Sequence, residues 1–525
     1  MYATAHFSYW GLMKPEQYFV GCPRNQSCIV SGESGAGKTV SCGQIMKYLA
    51  NMSDWARGIT RRGSSGNAHE QHAGTKDVTK LVSGVSPFLE SFGNANTVMN
   101  DNSSRFGKFQ KILFNDNGNI VGGEVDHYLL EKGRLSYQGK KERNYHIFYF
   151  LIKGKTPEEQ KLLNLRPAKE YKMLFGGGID VILHENHKQK DGTVINTYDI
   201  ERMNNPLDDD ADKTGCRAAV TAANVSLERQ ADMWKTLAAL LKMGDLKFVD
   251  GKDGQNTSKV ENKDLCDTVS KLLGLDHVSE EEGLARMLCI YRREIKGEKP
   301  IDSPVSKTIA SFQRFALIKD IYSRMFDELM RVVNRVLEPE DSYCGFIGIL
   351  DIFGFEVFEY NSMEQLCINF ANEKLQKLFN EHIFVEEGKI YKKEHIPDEC
   401  LPPFRDNTPC CNLIERKNVG IFPMLDDFAG KTSATDEQYA RLVYKRYGFK
   451  KGKPGKLAST KAEKEAAMYI SGKMTDPMWF KITHFAGDVR YHTKDWLKKN
   501  EDKLPPQIPE LMIESKSKYI SDYVY

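Results

Sequence analysis

Apolar residues recur along this chain with two different spacings. From Met233 to Met243 and from Phe312 to Val336 they return every three or four residues, which is the spacing of one face of an α-helix. Short apolar runs lie between such segments, and "FIGIL" at 346–350 is typical of a buried strand. The alternation predicts a mixed α/β protein.

The stretch "KFQKILFNDNGNIVGGEVDHYLL" at 108–130 predicts a pair of strands. The dipeptide Asn117-Gly118 between them accepts the positive φ angles of a type I′ turn. We therefore expect part of the sheet to be antiparallel.

Polar stretches rich in glycine, serine or charged residues separate the periodic segments and predict surface loops. They cover 57–74, 204–213, 249–264 and 449–466.

Composition excludes some classes of partner. The 525 residues carry a net charge of +2, with 28% charged and 40% hydrophobic residues, which gives no electrostatic reason to propose a nucleic-acid or membrane surface. The N-terminus has no signal-peptide pattern, and no apolar run approaches the roughly 20 residues that span a bilayer. We expect a cytosolic protein without direct membrane insertion. The eleven cysteines have no metal-site spacing and are expected to be buried free thiols.

The stretch "SGESGAGKT" at 31–39 follows the apolar run "CIV" and matches the phosphate-loop pattern. Glycines let consecutive backbone N–H groups face phosphate oxygens, and the start of the following helix adds positive charge. Lys38 would reach the β- and γ-phosphates, and the Thr39 hydroxyl would bind Mg²⁺. The motif alone predicts a nucleoside triphosphate site, whose candidate residues are Gly32, Glu33, Ser34, Gly35, Ala36, Gly37, Lys38 and Thr39.

Two further stretches make the prediction more specific. They are "GNANTVMNDNSSRFGKF" at 93–109 and "GILDIFGFEVFEYNSMEQLCINFANEKLQ" at 348–376. With the phosphate loop, they resemble the switch 1 and switch 2 segments of the myosin motor domain. Matches such as "LLEKGRL" and "THFAGDVRYHTKDWLKKN" extend the resemblance from about residue 2 to about residue 503.

The resemblance implies a P-loop NTPase core, with a mixed, mostly parallel central β-sheet flanked by helices, and helical upper and lower cleft subdomains. Residues 1–525 would form a partial motor domain. Its expected parts are a phosphate-loop core with surface loop 1 at about 1–80, an upper subdomain with switch 1 at about 81–350, and switch 2, the relay helix and the lower actin-facing subdomain at about 351–525.

The resemblance also implies roles in ATP hydrolysis. Ser104 would be the second protein ligand of Mg²⁺ beside Thr39, and Asp351 would hold the ion through water. Asn94, Asn100 and Ser103 would contact the nucleotide or the attacking water, and the Gly354 N–H would face the γ-phosphate. A lone aspartate in an apolar segment is more often a core or turn residue, but the flanking motif favours the metal role.

Arg105 and Glu356 stand where the family forms a salt bridge that closes switch 1 against switch 2. The resemblance implies that this closure makes the site competent for hydrolysis. Two exposed charges would be the ordinary alternative for such residues. Their positions inside the two motifs favour the bridge.

After switch 2, Ser362 and Gln365 form a capping-box pattern ahead of helically spaced apolar residues. A helix that continues to about Lys393 would span roughly 45 Å. The segment resembles the family's relay helix, although periodicity alone also fits an ordinary core helix.

The resemblance implies actin filaments as the partner. The segment "ATDEQYARLVYKRYG" at 434–448 resembles an actin-docking helix, and the lysines of "FKKGKPGK" at 449–456 would suit an acidic filament or a solvated loop equally. Glu298, Lys299 and Asp302 compete for a regulatory loop position, which stays unassigned. Val40, Gly43 and Gly133 depart from the family pattern without removing a catalytic group.

The chain begins close before the phosphate loop and ends without a recognisable converter or light-chain-binding IQ helix. Light chains are expected only if such a region exists. The leading hypothesis is an actin-activated, Mg-dependent myosin ATPase in the actin cytoskeleton. A nucleotide-gated actin tether without motile output is the alternative, and another P-loop ATPase or kinase ranks lowest.

Overall fold

A computed structural model gives the fold of the chain as two compact units. It describes residues 1–18, 24–33, 35–56, 88–139, 141–174, 216–251, 254–293, 300–339, 341–429, 434–448, 454–473, 475–500 and 504–525. The first unit comprises Met1–Val30, Gly37–Ile352 and Lys503–Tyr525, and the second comprises Ser31–Ala36 and Phe353–Asp502.

A four-stranded sheet organises the first unit. Its strands, in chain order, are β1 (Gln26–Val30), β4 (Gly107–Phe114), β5 (Ile120–Tyr128) and β10 (Gly345–Asp351), and their spatial order is β1-β10-β4-β5. β1 and β10 are parallel, whereas β10 with β4 and β4 with β5 are antiparallel. The predicted mixed α/β class is confirmed, and among the described strands of this sheet the parallel pairing is that of β1 with β10.

The predicted β4–β5 hairpin is confirmed, but the prediction of a type I′ turn is wrong. Gly118 has a φ of 79°, whereas Asn117 is not among the residues with positive φ that the structure describes. The side chain of Asn115 explains the difference, because its Oδ1 accepts the N–H groups of Asn117 at 3.1 Å and Asn119 at 3.0 Å. The ladder shifts register beside this turn, between Leu113 and Phe114.

Helices and short two-stranded ribbons complete the first unit. Its helices are α1 (Tyr2–Met13), α2 (Pro15–Tyr18), α3 (Lys38–Ala56), α4 (His146–Gly154), α5 (Pro157–Leu163), α6 (Cys216–Ala222), α7 (Leu227–Met243), α8 (Lys263–Leu272), α9 (Leu284–Met287), α10 (Lys307–Leu337) and, near the C-terminus, Gln507–Ile513 and the π-helical Tyr519–Val524. Its ribbons pair β2 (Asn94–Ala95) with β3 (Ser103–Ser104), β6 (Phe248–Gly251) with β7 (Gly254–Val260), and β8 (Ile290–Arg293) with β9 (Ile301–Pro304).

Two predictions about these elements have clear outcomes. The helical patterns at 233–243 and 312–336 lie within α7 and α10, as predicted. The polar stretch 249–264 is not a plain loop, because it contains most of the β6–β7 ribbon and the start of α8. Alternating polar residues on a two-stranded ribbon look like a loop in sequence because little apolar surface is buried.

The second unit has its own buried core. Its helices are α11 (Met363–Asn380), α12 (Glu387–Lys393), α13 (Thr408–Glu415), α14 (Ile421–Ala429), α15 (Asp436–Tyr447), α16 (Lys461–Ala466) and α17 (Trp496–Asn500). An antiparallel sheet joins β11 (Ile470–Lys473), β12 (Asp476–Thr483) and β13 (Asp488–His492). Fully buried Tyr439, Phe480 and Trp496 lie in this core.

A continuous helical run covers 363–393. α11 is followed directly by a π-helical segment, Glu381–Glu386, and then by α12. The Ser362 N–H donates to Gln365 Oε1 at 3.0 Å, so the predicted capping at the start of the run is confirmed. The predicted extension to about Lys393 is confirmed as well.

The described cysteines are free thiols, most of them buried, with Cys367 and Cys400 exposed. In the part of the chain that the structure describes, no helix combines the length and the apolar character needed to cross a membrane.

Candidate functional site

The phosphate-loop sequence lies between β1 and α3. β1 ends at Val30 and α3 begins at Lys38. Gly35 and Gly37 have φ angles of 79° and 83°, which other residues adopt only with strain. No heavy atom lies within 4 Å of a Cβ built on Gly37, so space beside the backbone is open there. This geometry fits a cradle for an anion at a helix N-terminus; Ser34 lies outside the described residues.

Asp351 lies at the end of β10, in register with Val30 of β1 and Lys108 of β4. The Thr39 hydroxyl donates to Asp351 Oδ2 at 3.0 Å, and Lys108 Nζ lies 3.5 Å from the same oxygen. Adjacent hydroxyl and carboxylate oxygens are the hard donors that Mg²⁺ prefers, so these two residues fit the predicted metal site. The water-mediated role of Asp351 stays a prediction.

The predicted switch 1 residues form a segment held by its own side chains. Asn94 and Ser103 are buried, and the Asn94 amide donates within the segment. The Ser103 hydroxyl lies 2.8 Å from Thr97 Oγ1 and donates to the Asn100 carbonyl at 3.2 Å. Ser104 is half-buried on β3. Contacts of these residues with phosphate, metal or water stay predictions.

Arg105 is anchored by a carboxylate that the sequence interpretation did not single out. Its Nε donates to Glu131 Oε2 at 2.7 Å, and Arg134 Nε donates to the same oxygen at 2.7 Å. Burial by itself would raise the pKa of Glu131, but the two guanidinium groups lower it to about 2. Glu131 is therefore an anion that fixes the switch 1 arginine within the first unit.

Two signals in the sequence pointed toward the residues that were missed. Glu131 and Arg134 lie three residues apart inside "LLEKGRL", a spacing that favours pairing. Lys108 lies within the switch 1 stretch at 93–109, but its contact with Asp351 depends on the register of β4 against β10. That contact, like the one between Glu131 and Arg105, does not follow from local pattern alone.

The switch 2 residues Gly354 and Glu356 are buried in the second unit. Phe355 forms a parallel bridge with Glu33 of the phosphate loop. The Asn369 side chain accepts the Glu356 N–H at 2.8 Å and donates to the Glu356 carbonyl at 2.8 Å, so α11 holds this peptide at both polar groups. Arg105 and Glu356 belong to different units, and their ion pair stays a prediction.

The predicted actin-docking segment contains α15, which begins after the capping residue Thr435. Most of the lysine-rich stretch lies outside the described residues, as do Glu298 and Lys299. Asp302 is described and bonds Arg292 Nε at 2.8 Å. The hydrogen bond from Arg292 lowers the pKa of Asp302, although burial alone would raise it.

Comparisons with known proteins agree with this geometry. The family model for the myosin head (motor domain) matches residues 14–524. The chain is 34% identical over 510 residues to human unconventional myosin-VI, 35% over 499 residues to human unconventional myosin-Va, and 36% over 499 residues to the myosin-I heavy chain of Dictyostelium discoideum. Each match covers 95% of this chain but only 37%, 24% and 18% of these relatives. The chain therefore belongs to the myosin head (motor domain) family.

Proposed function

We propose that the chain binds Mg-ATP at residues 32–39 and hydrolyses it as part of an actin-based motor. The contact of Thr39 with Asp351, beside an open glycine loop, is the observation that carries this proposal. It supports the proposal because a hydroxyl and a carboxylate in contact, at the start of α3 and the end of β10, are oxygen donors of the kind that Mg²⁺ prefers.

Each residue then has a limited task. Thr39 and Ser104 would hold Mg²⁺, with Asp351 behind a water, and the ion would supply charge that neutralises phosphate oxygens. Lys38 binds the terminal phosphates, and the Gly354 N–H orients the γ-phosphate. Ser103 positions the attacking water. Glu131 holds Arg105 by their hydrogen bond within the first unit, and the proposed pairing of Arg105 with Glu356 would close switch 1 on switch 2.

Coupling to actin would follow from two states of the switch 2 segment. The Asn369 contacts tie the Glu356 peptide to α11, so a shift of that peptide would be carried along the helical run 363–393. ATP and actin would each favour a different state, and each would lower the affinity for the other. The exposed face of α15 is the candidate contact with the filament.

The first test measures ATP binding by calorimetry in the presence of Mg²⁺. Lys38→Ala should weaken binding roughly tenfold to a hundredfold, the range expected for a lost charged hydrogen bond. Lys47→Ala is the matched control, because Lys47 is exposed on the same helix. Equal ATP affinity of Lys38→Ala and the parent protein would show that the phosphate-loop assignment is wrong.

The second test is cosedimentation with actin filaments. The parent protein should bind filaments without ATP and release them when ATP is added. Lys38→Ala should need roughly tenfold to a hundredfold more ATP for release, because it binds the nucleotide more weakly by that factor. An actin affinity of the parent that ignores ATP would contradict the proposed coupling.

A further inference from the structure

In the second unit, buried polar side chains form a continuous series of hydrogen bonds between α11 and the β12–β13 strands. Asn369 and Glu373 project from α11, His484 follows β12, and Tyr491 lies on β13. All four are fully buried or nearly so. Buried polar groups need complete hydrogen bonding, so the direction of each bond is constrained.

The bonds run in one direction from the switch 2 peptide. The Asn369 amide donates to the Tyr491 hydroxyl at 2.9 Å, while its other contacts fix its orientation on Glu356. Tyr491 therefore uses its own proton toward His484 Nε2, 2.9 Å away. Burial raises the pKa of Tyr491 well above its usual value, so the hydroxyl keeps that proton.

This direction selects one form of the His484 ring. Nε2 accepts from Tyr491, so the proton lies on Nδ1, which donates to Glu373 Oε2 at 2.8 Å. Glu373 also accepts the Phe485 N–H at 3.3 Å and the Asn407 amide at 2.8 Å, and the Cys410 thiol hydrogen-bonds the same side chain. Because donors surround its oxygens, Glu373 acts as an acceptor toward Nδ1 and so holds the tautomer.

The same region contains the one set of described residues whose ligand atoms are close enough to share a metal, namely Glu373, Cys410 and His484. The geometry favours the hydrogen bonds. His484 Nδ1 contacts Glu373 directly, whereas Cys410 Sγ is 4.0 Å from that nitrogen. Burial, followed by the nearby Glu373 charge, raises the pKa of the Cys410 thiol, which opposes a metal-binding thiolate.

We propose that Glu373 and His484 are positioning residues that set the direction of this buried hydrogen-bond chain and so hold the Glu356 peptide. This hydrogen-bond chain comprises Glu373, His484, Tyr491, Asn369 and the Glu356 peptide. The role in catalysis rests on the function proposed above. The hydrogen-bond chain itself does not depend on that function.

Glutamine at position 373 would test the direction of the bonds. Its amide group can donate to Nδ1, which would move the ring proton to Nε2. Nε2–H would then face Tyr491 as a donor, and the hydroxyl proton would turn toward the Asn369 amide, which is also a donor. Asn369 would have to rotate, and both of its bonds to Glu356 would break.

The experiment follows hydrogen exchange at the Glu356 amide in the full chain, read by fragmentation mass spectrometry. Tyr491→Phe and Glu373→Gln should each speed exchange there, about threefold to tenfold, as expected for one lost hydrogen bond. Tyr439→Phe is the matched control, because it removes a buried hydroxyl bonded to the Ile421 carbonyl at 3.0 Å, outside the hydrogen-bond chain. Its Glu356 exchange should match that of the parent protein.

A double variant distinguishes an effect transmitted through the hydrogen-bond chain from a general loss of core packing. Glu373→Gln should have no further effect once Tyr491→Phe has removed the hydroxyl that transmits the change. Three results would overturn the hydrogen-bond chain. The first is an increase in Glu356 exchange in the double variant equal to the sum of the two single effects. The others are equal Glu356 exchange in Tyr491→Phe and Tyr439→Phe, and stoichiometric zinc in the purified protein.

Single-turnover ATP hydrolysis tests the positioning role. Tyr491→Phe and Glu373→Gln should slow the hydrolysis step while ATP affinity stays as in the parent protein. Equal hydrolysis rates in Tyr491→Phe and Tyr439→Phe would overturn the role. A parent protein that hydrolyses no ATP would refute the proposed function, while the exchange measurement would still decide the hydrogen-bond chain.

Discussion

Glu131→Gln should destabilise the first unit strongly because it removes the anion shared by two buried arginines. The side chains of Arg105 and Arg134 are 1% and 2% exposed, so water cannot replace the carboxylate. Against the effect of burial, the two arginines lower the pKa of Glu131 from 4.5 to about 2. Each tenfold change in proton affinity corresponds to about 1.4 kcal/mol, so this carboxylate contributes about 3 kcal/mol at neutral pH. Breaking a buried ion pair costs about 3–5 kcal/mol in other proteins, which agrees.

The same carboxylate predicts a pH dependence with a definite sign. A carboxyl group whose pKa falls on folding stabilises the protein fully above its unfolded value and loses that contribution as pH falls through its folded value. Between pH 4.5 and about 2, the parent protein should therefore lose about 3 kcal/mol more unfolding free energy than Glu131→Gln.

Urea unfolding of both proteins across this pH range, together with pH 7, measures the difference. Glu142→Gln is the control, because Glu142 bonds Arg134 at 3.2 Å without the shared contact to Arg105, and its loss should be smaller. Equal losses in the two variants at pH 7, or parallel pH curves for Glu131→Gln and the parent, would refute the reasoning.

Two other changes test the proposed site and the helix beside it. Arg105→Ala or Glu356→Ala should leave ATP binding intact and slow single-turnover hydrolysis by about 10²-fold or more, and the double alanine variant should be little slower than either single variant. Losses that add independently in the double variant would argue against the pair. Gly43→Ala should raise the free energy of unfolding by about 0.5–1 kcal/mol in urea titrations, because no heavy atom lies within 4 Å of the added methyl group on α3. A lower stability of Gly43→Ala would show that the helix interior there needs glycine.

Local patterns predicted the elements whose signals lie within a few residues. The strand, glycine loop and helix at 26–56, the capping pair Ser362 and Gln365, and the long helical run are all present. The hairpin was predictable from its alternating strands. Its turn was not, because the Asn115 side chain competes for backbone N–H groups, and a dipeptide preference does not include that competition.

Contacts between segments distant in the chain could not be predicted from local sequence patterns. Lys108 reaches Asp351 only through strand register, and His484 meets Glu373 across 111 positions. Asp351 and Glu373 are both buried, and glutamate in particular is a residue type that normally faces solvent. Their burial is possible because other elements supply cations or hydrogen-bond donors to them. The local spacing of residues does not predict those contacts.

The π-helical segment Glu381–Glu386 gives the helical run an unusual tolerance of changes in length. A π turn holds one residue more than an α turn, so deleting a single residue there can leave an ordinary α-helix whose two halves keep their relative phase. The same deletion within Met363–Asn380 would instead rotate everything downstream by about 100° and turn Ile390, which is exposed, toward a new direction. Segment 381–386 is thus where a shorter chain could still present the same downstream face.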